Sequence, residues 1–132
     1  IVLLAGDLSY HFPLADVRAV AAHGVIDGAE NIAADVAEEI FGWNTEVGVH
    51  VLPRSLKRGK LKRSDLVIFG RYDFVDTQFA LQPGATKVAA GERKMWTIGA
   101  SFYLLPNFVL KADRQIVEDA SNLTNFGVGW QF

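Results

Sequence analysis

Two short stretches carry a base and an acid two residues apart: Arg71 and Asp73 in FGRYDFVD, and Lys111 and Asp113 in NFVLKADRQ. In an extended chain residues i and i+2 project from the same face, so each set presents its cation beside its anion. Such groups can pair across strands and stiffen a wall, or line a passage and sort the ions that move along it. Asp16, Arg18, Glu46 and His50 fall on the polar parity of their own segments and join the same candidate lining. His11 and His50 stand apart in sequence from carboxylates at ligand spacing, so a wall or lining role is expected of them rather than a metal site. His23 has the opposite parity and no serine at a matching position, which argues against a lipid-cleaving pair. With no cysteine in the chain, a disulfide framework, a thiolate metal site and a cysteine nucleophile are excluded. No catalytic, metal or cofactor site is expected, and the chain is read as a non-enzyme.

The wider charge pattern points the same way. A net charge of -2 favours no nucleic acid partner. The basic run RSLKRGKLKR (54–63) has no interleaved aromatic residues and reads as a solvated turn near anionic headgroups. The acidic link with Asp27, Glu30, Asp35, Glu38 and Glu39 suits divalent cations beside lipopolysaccharide or an inward-folding constriction. No stretch approaches the roughly 20 apolar residues of a membrane-spanning helix. The opening IVLLAG lacks the basic flank of a signal peptide, and the chain, beginning at Ile1, is read as a mature protein or an internal fragment.

The elements that must position these charges are strands. In NFGVGWQF (125–132), Phe126, Val128, Trp130 and Phe132 share one face, against Asn125, Gly127, Gly129 and Gln131. FGWNTEVGVHV and WTIGASFYL split the same way, with Trp43 on the apolar face of the first and Trp96 and Phe102 on that of the second. Weaker copies near residues 7–12, 17–21, 66–75 and 108–115 bring the expectation to seven strands. Tight proline turns at 13–16 and 105–107 and the basic connection 53–64 alternate with long links at about 26–40, 77–94 and 117–121. Ala29, Ile32, Ala33, Val36, Ala37 and Ile40 recur at helical spacing, so a short amphipathic helix is expected in the first link.

Which solvent meets the apolar face decides the fold class. A soluble barrel or sandwich turns it inward, where it could hold an apolar ligand, whereas an outer-membrane barrel turns it to lipid. Glycines on the polar faces (Gly42, Gly48, Gly99, Gly127, Gly129) and aromatics near strand ends favour the second. The expectation is therefore all-β: an antiparallel transmembrane β-barrel with a lipid-facing girdle that includes Trp43, Trp96, Phe102, Trp130 and Phe132.

The stretches FGRYDFVDTQ, WTIGASFYLLPNFVLKADRQ and FGVGWQF resemble the last strands of Gram-negative outer-membrane porins, especially the phosphate-selective-porin-like group. The resemblance covers about the second half of the chain; the first half shares only the strand rhythm. It implies a bacterial outer-membrane location, contact with outer-membrane lipid and lipopolysaccharide, and a terminal strand ending in Phe132 that the barrel assembly machinery reads. It also implies an ion-transport role, passive diffusion of small hydrophilic solutes or ions, with a homo-oligomer or larger membrane complex as a partner state. The dense Arg and Lys ladders of the phosphate-selective members are missing, which puts phosphate selectivity in doubt. The alternative reading is a barrel that sheathes or scaffolds a partner protein, as in a porin-cytochrome assembly. With tight turns on the periplasmic side, seven strands put the first strand's start outside the cell. Residues 1–132 are thus expected to be the C-terminal strands of one larger barrel domain.

Overall fold

The structure, a computed structural model, describes residues 1–31, 36–88, 91–118 and 120–131. Seven strands follow one another: β1 (Val2–His11), β2 (Ala15–Val25), β3 (Ala37–His50), β4 (Asp65–Leu81), β5 (Glu92–Leu105), β6 (Phe108–Val117) and β7 (Leu123–Trp130). Each pairs antiparallel with its neighbour in sequence, giving one seven-stranded sheet in the order β1 to β7. The sheet does not close on itself: β1 and β7 each keep one edge without a partner strand among the described residues. β-Branched and aromatic residues at every second position explain why these segments extend, since a pleated strand places them all on one surface.

The turns follow their chemistry. Phe12 donates its N–H to the Ala15 carbonyl at 2.7 Å across Pro13, and Gln131 donates to Asn107 at 2.9 Å beside the β5–β6 turn. Two links are shorter than their composition suggested. β4 runs on to Leu81 because its last residues still pair with Ala37 and Glu39 of β3, through register shifts near Glu39. The helix expected before β3 is corrected at its described residues: Ala29–Asn31 form a 3-10 turn, and Ala37 and Ile40 belong to β3. Ile32, Ala33 and Asp35 lie outside the described residues. At Ile40 pairing with Gly24 of β2 adds ladder bonds that a helix there would forgo.

One layer of sheet leaves almost no interior. Among the described residues the buried apolar side chains are Ala29, Ala37, Phe69 and Val117. The apolar face is bare: Val47, Ile68, Ile98, Leu110, Phe126 and Val128 are all exposed, Phe126 by 83%. On this face charge is confined to one end of the strands. Walking from the tight-turn end, the first acidic, basic or histidine side chain is His23 on β2, Glu39 on β3, Asp76 on β4, Lys94 on β5 and Arg114 on β6.

That limit climbs from β6 to β4 and is then level, because Asp76 and His23 share one register row through Phe41. The row through Arg114 runs by register through Ile98, Gly70 and Val47 to Val17, six residues along β2 from His23. The whole six-residue rise falls between β6 and β4, where Gly70 of the Arg114 row lies six residues before Asp76. The tight-turn limit slants. Ala15 lies in the row of Val49, Ile68, Ala100 and Ala112, four residues along β6 from Phe108, a slope of about 35°.

Candidate functional site

The opposite face of the sheet carries the polar residues. Alternation places Asp16 and Arg18 of β2, Glu46 and His50 of β3, Arg71 and Asp73 of β4, and Lys111 and Asp113 of β6 on this one face. The sheet curves about two grooves there. The larger, about 550 Å³, brings Asp16, Arg18, Glu46, His50 and Lys111 together with Arg63, Asp65, Phe69, Ser101 and Tyr103. The smaller, about 390 Å³, joins Glu46, Arg71, Lys111 and Asp113 to Thr97, Gln115 and Asn125.

The charges are largely spent on one another. Arg71 clamps Asp73 with Nε at 2.8 Å and Nη2 at 2.5 Å from the same carboxylate oxygen, a fork that neutralises the i, i+2 pair internally. Its register partner on β3 is Glu46, whose own partner on β2 is Arg18, so sign alternates along one row. Lys111 behaves differently from Arg71. Its ammonium sits over the Phe69 ring, 4.4 Å from the centroid, and forms no ion pair among the described residues. Asp113 instead accepts from the Asn125 side-chain amide at 2.9 Å.

At the tight-turn end lies a chain that the sequence reading missed. His11 Nδ1 is 2.7 Å from Asp16 Oδ1, His50 Nε2 is 3.1 Å from Asp16 Oδ2, and His50 Nδ1 is 2.6 Å from Asp65 Oδ2. Lys57 Nζ donates to the other oxygen of Asp65 at 3.0 Å. The isolation expected of His11 and His50 is therefore corrected: they are far from carboxylates along the chain but not across the strands. Only the imidazolium form of His50 can donate from both nitrogens, which fits two flanking carboxylates. The missed signal was Asp65, the first acid after the basic run, which begins β4 directly across the connection from His50. Among the described residues no group of three or more His, Asp or Glu has the arrangement to hold a metal ion.

The apolar face carries the aromatic residues. Trp43, Tyr72 and Trp96 form a ladder across β3, β4 and β5 with ring centroids 5.3 and 4.8 Å apart. Phe102 and Trp130 lie on the same face toward the tight turns, and Phe132 lies outside the described residues. His23 is on this face too, 2.9 Å from Glu39 and against the edges of Phe41 and Phe79. Near this end Asp76, almost wholly buried, accepts from Lys87 of the β4–β5 link. The Asp76 carboxylate holds the Lys87 ammonium above its ordinary pKa.

No protein-family model, curated protein or solved structure matches the chain. What stands is the seven-stranded antiparallel sheet with one apolar and one polar face, and no family is identified.

Proposed function

We propose that the sheet is part of a bacterial outer-membrane β-barrel whose apolar face meets lipid and whose polar face lines a passage for small hydrophilic solutes or ions. The charge-free band on the apolar face carries this reading. A water-soluble sheet has no reason to keep charge off the middle of its outward face, whereas membrane hydrocarbon excludes it, and the tight-turn limit, slanted about 35° from the perpendicular to the strands, matches the strand tilt of a barrel. The height agrees. On the central strands nine residues from Leu66 to Phe74, or from Trp96 to Leu104, present no charge outward, and at about 3.3 Å per residue and a tilt of about 40° they cover about 23 Å, close to the apolar band of such barrels, while the run is shorter on β2 and β6.

The open edges complete the proposal. Unpaired backbone is excluded from lipid, so the free edges of β1 and β7 must be paired in the membrane. β1 and β7 run in the same direction, so an antiparallel closure takes an odd number of additional strands between them. The test is single-channel recording on the full-length protein in planar bilayers. Discrete ohmic conductance steps are expected; a folded, inserted protein that passes no ions defeats the channel reading.

A further inference from the structure

Three connections cap the tight-turn end of the strands, and one of them is out of proportion. Residues 12–14 and 106–107 turn the chain in the fewest residues, whereas 51–64 spans fourteen between β3 and β4. That segment is folded. Leu56 donates to Pro53 at 3.0 Å, Leu61 to Arg58 at 3.1 Å and Ser64 to Leu61 at 3.0 Å, and Gly59, at φ 56°, turns the chain where a side chain would be strained.

The segment is tied at two places. Ser64, 2% exposed, donates its hydroxyl to the Leu104 carbonyl of β5 at 2.8 Å. Lys57 reaches Asp65 on the polar face, and Arg63 lines the larger groove. Apart from those ties the segment carries Arg54, Arg58, Lys60 and Lys62, exposed and without an ion pair among the described residues, and no acid at all. Its charges repel one another, and the Lys57–Asp65 bond is its single acid contact among the described residues.

We propose that residues 51–64 form a strap across the tight-turn mouth of the passage, latched by Lys57 to Asp65 and through Asp65 to His50 and Asp16, so that the state of the latch sets how far the mouth opens. This rests on the channel reading above. Asp65 is the keystone because it accepts from Lys57 and His50 at once, and from the Leu66 backbone N–H at 3.0 Å. The charged and titratable groups around the latch are His11 of β1, Asp16 and Arg18 of β2, Glu46 of β3, Arg63 of the strap, Tyr103 of β5 and Lys111 of β6. Loss of the Asp65 charge leaves the strap cations facing His50 and each other with nothing to hold them down.

The test compares three full-length proteins in planar bilayers: wild type, Asp65→Asn, and a variant in which residues 54–62 are replaced by Asn-Gly. Release of the strap is expected to raise the open-channel conductance of Asp65→Asn and to add flicker. The shortened variant is expected to show the raised conductance without flicker. A shortened variant that inserts, migrates as a heat-modifiable barrel and conducts like wild type overturns the proposal, whether or not Asp65→Asn folds. Wild type that conducts no ions defeats the channel reading instead.

Discussion

The ring of Phe69 occupies the space that a side chain at Gly99 would need: a Cβ built on Gly99 would lie 2.6 Å from Phe69 Cζ and 2.6 Å from the Ala112 carbonyl oxygen. The two residues are register partners on β4 and β5, and Gly48 faces Phe69 from β3. Phe69 thus lies over a glycine on the polar face and offers its ring to Lys111. The Ala112 oxygen is backbone and cannot swing away. Gly99→Ala should therefore destabilise the folded protein by about 1 to 3 kcal/mol. Gly127→Ala, with nothing within 4 Å of its Cβ, should stay within about 0.5 kcal/mol of wild type. Urea midpoints in detergent micelles report both.

The two faces should answer differently to the same charge. Val47 is 42% exposed in the middle of the apolar band, so Val47→Arg should cost about 2 to 4 kcal/mol in lipid vesicles. Gly127→Arg points into open space on the polar face and should fold as well as wild type. Equal penalties would mean that the faces do not meet different solvents.

Ion selectivity should follow the pairing and not the count of cations. Arg71 is neutralised by Asp73, while Lys111 is not neutralised by Asp113. Lys111→Gln should shift reversal potentials toward cations more than Arg71→Gln does. Asp73→Asn, which frees the guanidinium, should shift them toward anions. A double change of Arg71 and Lys111 to Glu that leaves selectivity unaltered would make these residues wall struts alone.

The Asp76–Lys87 bond gives a prediction in pH. The folded pKa of Lys87 lies above its ordinary value of about 10.5 because Asp76 accepts its proton bond. A raised lysine contributes its full tether below its unfolded pKa and loses it as pH rises through the folded pKa, so the β4–β5 link should stay anchored from neutral pH to about pH 10. Amine acylation at pH 8.5 followed by mass spectrometry should label Lys87 more slowly than the exposed Lys60 and Lys62. In Asp76→Asn that difference should vanish.

Much of the sheet was legible because its signal is local. Period-two alternation from Phe41 to Val51 or from Trp96 to Leu104 fixes both the strand and its faces, so eight of the charged or titratable residues of the polar face could be grouped without a structure. The helix expected before β3 failed because Ala37 and Ile40 fit a helical stripe and a pleated strand equally well, and pairing with β2 decided between them. The His11–Asp16–His50–Asp65–Lys57 chain was illegible for the opposite reason. Its members come from β1, β2, β3, β4 and the strap, and no spacing along the chain encodes which strands lie side by side at which register. The Phe69–Gly99 contact is hidden in the same way, since it depends on register across β4 and β5.

The chain's three tryptophans offer the most direct test of lipid contact. Trp43, Trp96 and Trp130 all lie on the apolar face, the first two toward the charged limit and the third toward the tight turns. With the full-length protein reconstituted in bilayers of phosphatidylcholine brominated at graded depths along the acyl chain, an apolar face in lipid predicts strong quenching of the emission. Quenching should be greatest for the shallow bromines, with little effect of aqueous iodide. Emission that iodide quenches and bromine at every depth leaves intact would contradict the account.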